Sequence, residues 1–308
     1  MPTFSTYDGT ELAYHLVGEG KSLVCLPGGP MRASEYLGDL GGLAAHRQLI
    51  RLDLRGTGDS AAPAADAAPL AYRCDRQVDD VEALRAHLGL ARLDLLAHSA
   101  AGELALLYAA RHPRRLASLT LVTPSATAAG IEATTEDRRE AMALRAGEPW
   151  YAAATAAFEE VLAGRATDEV WATLKRFNHA RWDAAAQAMV AASPRQINQE
   201  AAAAFFGEGA FDPAATRAAL AALAAPVLVV AGALDGGPRP AKARALAGLF
   251  GHGRLAVLEG AGHFPWLDEP GAFVRAVADV PDSGTPGGDV ETGAKAETET
   301  ETGGARSA

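Results

Sequence analysis

The chain has 308 residues, 49% of them hydrophobic, which is enough for one large core with a smaller unit set into it. A formal charge of −10 has the wrong sign for an electrostatic nucleic-acid binder, and no window carries the long uncharged apolar run of a membrane span. Cys25 and Cys74 are the only cysteines, which excludes a disulfide framework and a multi-cysteine zinc site; both read as small buried hydrophobes.

The first residues lack the basic start and apolar stretch of a signal peptide, so a cytoplasmic location is the expectation. Residues 6–17 read as strand on each side of, or just after, an Asp8-Gly9 turn. Residues 22–26 form a short apolar run broken by Pro27-Gly28-Gly29-Pro30, and 48–54 a further strand ended by Arg55-Gly56-Thr57-Gly58. A helix is expected over 76–88, where Val78, Val81, Leu84 and Leu88 share one face and Gly89 closes the end. Residues 93–97 are strand-like and lead into a helix over 102–112, stopped before Pro113; 119–123 is the next strand.

Such alternation predicts an α/β fold, a mostly parallel sheet flanked by helices. It lapses over 126–209, an alanine-rich stretch with helices expected at 136–146, 151–162 and 168–190. It resumes with a helix capped by Asp212-Pro213, strands at 226–232 and 254–259, and a helix at 270–278. The organisation predicted is a core of 1–125 and 210–280 with a helical cap, or lid, of 126–209 inserted in it. Residues 281–308 carry six acids against Lys295 and Arg306 and no large apolar residue but Val290, the composition of a disordered acidic tail.

Chemistry concentrates in three places. Leu95-Leu-Ala-His-Ser99-Ala-Ala-Gly102 puts a serine on a turn between strand and helix. A sharp turn there exposes the hydroxyl and leaves the next backbone N–H at the positive end of the helix dipole, where it can stabilise an oxyanion. Alone the string is a weak signal. Asp235, just past an apolar strand, and His263, on the glycine-rich loop Gly260-Ala-Gly-His263 after the next strand, raise it. Ligands of open α/β sheets bind at the carboxyl ends of strands, so the three side chains can converge. The bland alternatives are a capping aspartate and a loop histidine satisfied by its neighbours.

Over residues 6–279 the sequence resembles the α/β-hydrolase superfamily, and within it the proline-iminopeptidase-like serine hydrolases. The likeness rests on Leu52-Asp-Leu-Arg-Gly-Thr-Gly-Asp-Ser60, on residues 74–90, and on Gly260-Ala-Gly-His-Phe-Pro-Trp-Leu-Asp-Glu-Pro270. The resemblance implies an α/β-hydrolase fold, with Ser99 as nucleophile, His263 as base and Asp235 as its orienting acid, in the Ser–Asp–His order of that fold. It further implies an oxyanion hole from the backbone N–H groups of Gly29 and Ala100. The sequence departs from the family pattern at Pro27, where a histidine is usual, at Ala97 and Ala101, where the elbow has glycines, and at Gly236, where proline often stands.

The implied activity is removal of an N-terminal proline or similar residue from small peptides through an acyl-enzyme. An esterase or amidase for a secondary-metabolite-like substrate uses identical machinery, and a non-catalytic ligand-binding protein of the same fold is a third reading. An aminopeptidase needs a carboxylate for the substrate's ammonium group, and Glu200 is the candidate among the cap acids. No cofactor or metal is expected; the partner is a small-molecule or short-peptide substrate, with no nucleic acid or membrane involved. Asp53, Arg55, Gly56, Gly58 and Asp59 read as a hydrogen-bonded loop beneath the oxyanion segment, His98 as packing, Asp268 as part of a helix start, and the cap aromatics, Trp150 and Phe177 among them, as the cap's own core.

Overall fold

A computed structural model describes residues 1–278; the predicted acidic tail lies outside the described residues. Its centre is an eight-stranded sheet, numbered in chain order: β1 (Thr3–Ser5), β2 (Glu11–Val17), β3 (Ser22–Leu26), β4 (Gln48–Leu52), β5 (Leu93–His98), β6 (Leu116–Val122), β7 (Val227–Gly232) and β8 (Gly253–Leu258). The spatial order is β1-β2-β4-β3-β5-β6-β7-β8. Only β2 runs against its neighbours; from β4 to β8 all pairs are parallel.

Parallel strands need helical crossovers, and those helices cover both faces of the sheet. That is why β7 is apolar without alternation, and why β5 is buried along its whole length even at Asp94 and His98. Successive side chains still point to opposite faces. Leu95, Ala97, Leu119, Leu121, Val227 and Val229 enter one core, while Leu96, Val122, Leu228 and Val230 enter the other. The helix Val78–His87 ends as its sequence dictates, with Gly89 at φ +66°.

Between β6 and β7 lies the helical insertion. Its helices are Thr135–Ala143, Tyr151–Leu162, Asp168–Leu174, Ala184–Gln196 and Gln199–Phe205, followed by the core helix Pro213–Ala221. The single helix expected over 168–190 is two, separated by a 3₁₀ turn, Lys175–Asn178, and a non-helical stretch. Asp183 sets the second start: its carboxylate accepts the Ala186 N–H. The helix Pro240–Ala247, which the chain reading did not anticipate, covers β7 and β8. Met142, Trp150, Ala154, Phe158 and Phe177 give the insertion a small core of its own, whereas Phe205 belongs to the main core and Trp171 is exposed. Among the described residues no helix is long and apolar enough to cross a membrane.

Candidate active site

Sheet order decides what can meet. Ser99 follows β5, Asp235 lies just past β7 and His263 just past β8, all at the carboxyl ends of neighbouring parallel strands. Ser99 has φ +55°, a left-handed conformation that costs a non-glycine residue on the order of 1 kcal/mol or more. The turn is held from both sides: the Ser99 N–H donates to the Val122 carbonyl, and the Ser99 carbonyl accepts from the Gly102 and Ser125 N–H groups. The helix Ala101–Arg111 starts at once.

The sites of close approach differ from the family pattern. Ala97 and Ala101 carry their methyl groups into the main core without conflict. The glycine that the fold requires is Gly102, where a Cβ would lie 2.6 Å from the Ser125 carbonyl oxygen and 2.8 Å from Pro124. Gly28 is a second, since its Cβ would lie 2.8 Å from that of Ser99. The elbow is thus as tight as its pattern demands, with the small residues moved by one position.

Asp235 is fully buried. One of its carboxylate oxygens accepts the Gly237 N–H at 2.7 Å, and the other lies 2.8 Å from His263 Nδ1. A carboxylate can only accept here, so Nδ1 carries the proton and Nε2 is left as an acceptor. Nε2 lies 2.8 Å from Ser99 Oγ, whose hydroxyl donates to it. The three predicted residues therefore form one continuous hydrogen-bonded chain.

Gly29 and Ala100 both stand beside Ser99, and among the described residues neither N–H donates to a protein group. Two unspent donors next to a serine hydroxyl at a helix start form an arrangement suited to an oxyanion. The loop that carries Gly29 is fixed without the usual histidine. The Tyr36 hydroxyl accepts the Gly28 N–H at 2.7 Å and donates to His98 Nδ1 at 2.7 Å; His98 Nε2 then donates to the His263 carbonyl at 2.9 Å. Burial, and then the neighbouring His263, hold the His98 imidazole well below its ordinary pKa, so it stays neutral as this relay requires. His98 does more than pack: it ties the oxyanion segment to the base. The chain alone carries no signal for Tyr36, which a 3₁₀ turn at Ser34–Leu37 brings beneath the loop.

The loop after β4 supports the same segment. Asp53 accepts the Ser34 and Asp59 N–H groups and pairs with His15. Arg55 is buried in a two-pronged pair with Asp80. Donor atoms of His15, Asp53 and Asp59 lie within 4.8 Å of one another, but both Asp53 oxygens are already engaged by protein donors.

The cap reaches the triad through residues 177–180. The His263 N–H donates to the Asn178 carbonyl at 2.7 Å and the Gly236 N–H to the Phe177 carbonyl at 3.2 Å. Gly236 and Gly262 permit this approach: their Cβ atoms would lie 2.9 and 2.7 Å from the Phe177 and Asn178 carbonyl oxygens. Asp268, just before the last helix, accepts from Gly262 and more distantly from Ala180. Glu200 does not join the site. It stands exposed on the helix Gln199–Phe205 and is absent from the cavity wall.

Residues 21–270 match the family model described as the alpha/beta hydrolase fold, and the chain belongs to that family. It is 39% identical over 119 residues to a proline iminopeptidase of Lactobacillus helveticus and 32% identical over 124 residues to one of Clostridioides difficile. These matches cover 37% and 38% of this chain and span only 40% and 41% of the relatives' length. Among solved structures, a meta-cleavage product hydrolase of Pseudomonas fluorescens IP01 superposes with a TM-score of 0.68 at 20% identity, over 91% of this chain and 97% of that one. An esterase of Exiguobacterium antarcticum gives 0.66 at 20% identity, over 89% and 96%. An enol-lactonase of Burkholderia xenovorans LB400 gives 0.62 at 23% identity, over 91% and 99%. At such identities these likenesses speak for the fold.

Proposed function

We propose that this protein is a serine hydrolase that cleaves small esters or amides through an acyl-enzyme on Ser99. The observation that carries the reading is the unbroken Ser99–His263–Asp235 chain, with both links at 2.8 Å. As Ser99 Oγ attacks a carbonyl carbon, its proton passes to His263 Nε2, and Asp235 stabilises the resulting imidazolium. The carbonyl oxygen, now negative, takes the N–H groups of Gly29 and Ala100. Collapse breaks the bond to the alcohol or amine, which leaves with the proton from His263. Water then gives a proton to His263, attacks the acyl carbon and releases the acid, restoring Ser99.

The partial similarity to proline iminopeptidases favours a second reading, cleavage of an N-terminal proline. The cavity chemistry favours the first: among the described residues no carboxylate lines the cavity, while Arg32 and Lys175 do, so a substrate ammonium group meets no counter-charge there. A fluorophosphonate probe should label the wild type and fail on Ser99→Ala. Labelling that survives the substitution, or none in the wild type, rejects the enzyme reading in favour of a binding protein. Faster turnover of a prolyl arylamide than of any short ester would install the peptidase reading instead.

A further inference from the structure

A cavity of 130 Å³ adjoins Ser99 and His263, and its wall contains Arg32, Lys175, His179 and Ser193. Arg32 is only 5% exposed. Its guanidinium lies 4.2 Å from the Tyr36 ring centroid; Nε donates to Gln196 Oε1 and Nη2 to the Met189 carbonyl. None of those acceptors is charged. Lys175 is half-buried at the start of the 3₁₀ turn beneath the cap. Among the described residues neither cation has an ion-pair partner, and the Lys175 ammonium makes no hydrogen bond; Glu35 and Asp168 act on Arg32 and Lys175 only from beyond pairing distance. Burial, and then the charge of Arg32, lower the pKa of Lys175, which places the two cations within each other's field. The His98 and His179 imidazoles in the same wall, held neutral by burial, add no further positive charge and supply no counter-charge.

Two like charges gathered at the wall of a small cavity repel each other and forfeit solvation where they are buried, and an anion between them removes both penalties. Resting on the hydrolase reading above, we infer that the natural substrate carries a carboxylate, bound by Arg32 and Lys175 while its ester or amide carbonyl faces Ser99. Both cations share one small cavity wall with Ser99, so the carboxylate is joined to the carbonyl by a short chain. The charge can sit on the acyl side, as in a monoester of a short dicarboxylic acid, or on the leaving group, as in an O-acyl hydroxy acid.

Matched esters test this. p-Nitrophenyl hemisuccinate against p-nitrophenyl butyrate reads a charge on the acyl side; 4-acetoxybenzoate against its methyl ester reads a charge on the leaving group. In at least one pair the anionic ester should have the higher kcat/KM, by about 10- to 100-fold. Lys175→Met should reduce that preference about tenfold, and Lys175→Arg should restore part of it. Equal turnover of both members in both pairs, or a preference unchanged in Lys175→Met, overturns the inference. Binding separates it from the hydrolase reading. Glutarate should bind Ser99→Ala by calorimetry, glutaramide should not, and the glutarate heat should fall with Lys175→Met. If the fluorophosphonate fails to label Ser99 while glutarate still binds, the anion site stands and the chemistry falls. If labelling succeeds and glutarate does not bind, the reverse holds.

Discussion

The elbow and the cap turn both fix the reacting groups, by opposite means. At the elbow close packing deep in the core adds to the backbone hydrogen bonds: β5 is buried throughout, Ser99 is held at φ +55°, and Gly28 and Gly102 leave no space for a methyl group. The cap turn 177–180 rests on a core of a few side chains and works through backbone hydrogen bonds, reaching His263 and Gly236 from outside the sheet. The Ser99 hydroxyl is therefore positioned by an element packed into the core, while the His263 imidazole is steadied by one joined to the sheet mainly through hydrogen bonds.

Gly262→Ala breaks the second arrangement most directly. The new methyl group would meet the Asn178 carbonyl oxygen at 2.7 Å, so either the cap turn or His263 must shift. Misplacement on that scale should cost about 10²-fold in kcat. Gly147→Ala, in the cap with nothing within 4 Å of its Cβ, is the control and should leave kcat unchanged. Equal rates for both variants would mean that the cap turn does not constrain the base.

Tyr36→Phe sharpens the comparison from the elbow side. It leaves the buried Gly28 N–H and His98 Nδ1 without their shared partner, a loss of about 1–3 kcal/mol. Urea unfolding should show a lower midpoint at an unchanged slope, and the fall in kcat should be smaller than for Gly262→Ala.

The last effect is one of pH. His179 stacks on Phe264, and burial, followed by the charge of His263, brings its pKa down to about 4. The unfolded chain binds a proton near pH 6.5, before the folded one does, so this residue's stabilising share is full above that value and is lost as pH falls toward 4. His179→Phe removes the titration. Its stability relative to wild type should improve as pH is lowered through this window, measured by urea midpoints at each pH. A constant difference would place the His179 pKa elsewhere.

The legibility of the chain follows the same division. Strand β7 is written as a continuous apolar run because both its faces are covered, and the Ser99 and Asp235 loops are legible because each directly follows a fully buried strand; the His263 loop, after the partly exposed β8, is legible from its glycines. Asp53 is legible as part of a hydrogen-bonded loop, and it accepts the Ser34 N–H. Tyr36 was not legible, because its partnership with Gly28 depends on a 3₁₀ turn whose sequence has no distinctive period. The cap was legible as helix but not as a wall. An alanine-rich stretch gives the same period across a break as within a helix, so the turn at 175–183 disappeared into one long helix, and Lys175 and the backbone at 177–180 went with it. Arg32 had a faint signal, its place two residues past the Gly28-Gly29-Pro30 segment. Glu200 had only its charge, and charge on an exposed helix says little.

The tie between the Asn178 carbonyl and the His263 N–H bears on how this protein can be re-engineered. Caps invite wholesale exchange between homologues as a route to new selectivity, with junctions at the ends of β6 and β7. In this chain such a swap would carry off a tetrapeptide that belongs, in working terms, to the machinery beneath. A chimera that retains residues 177–180, along with Gly236 and Gly262 as their seats, keeps the imidazole in register; one that replaces them must rebuild it.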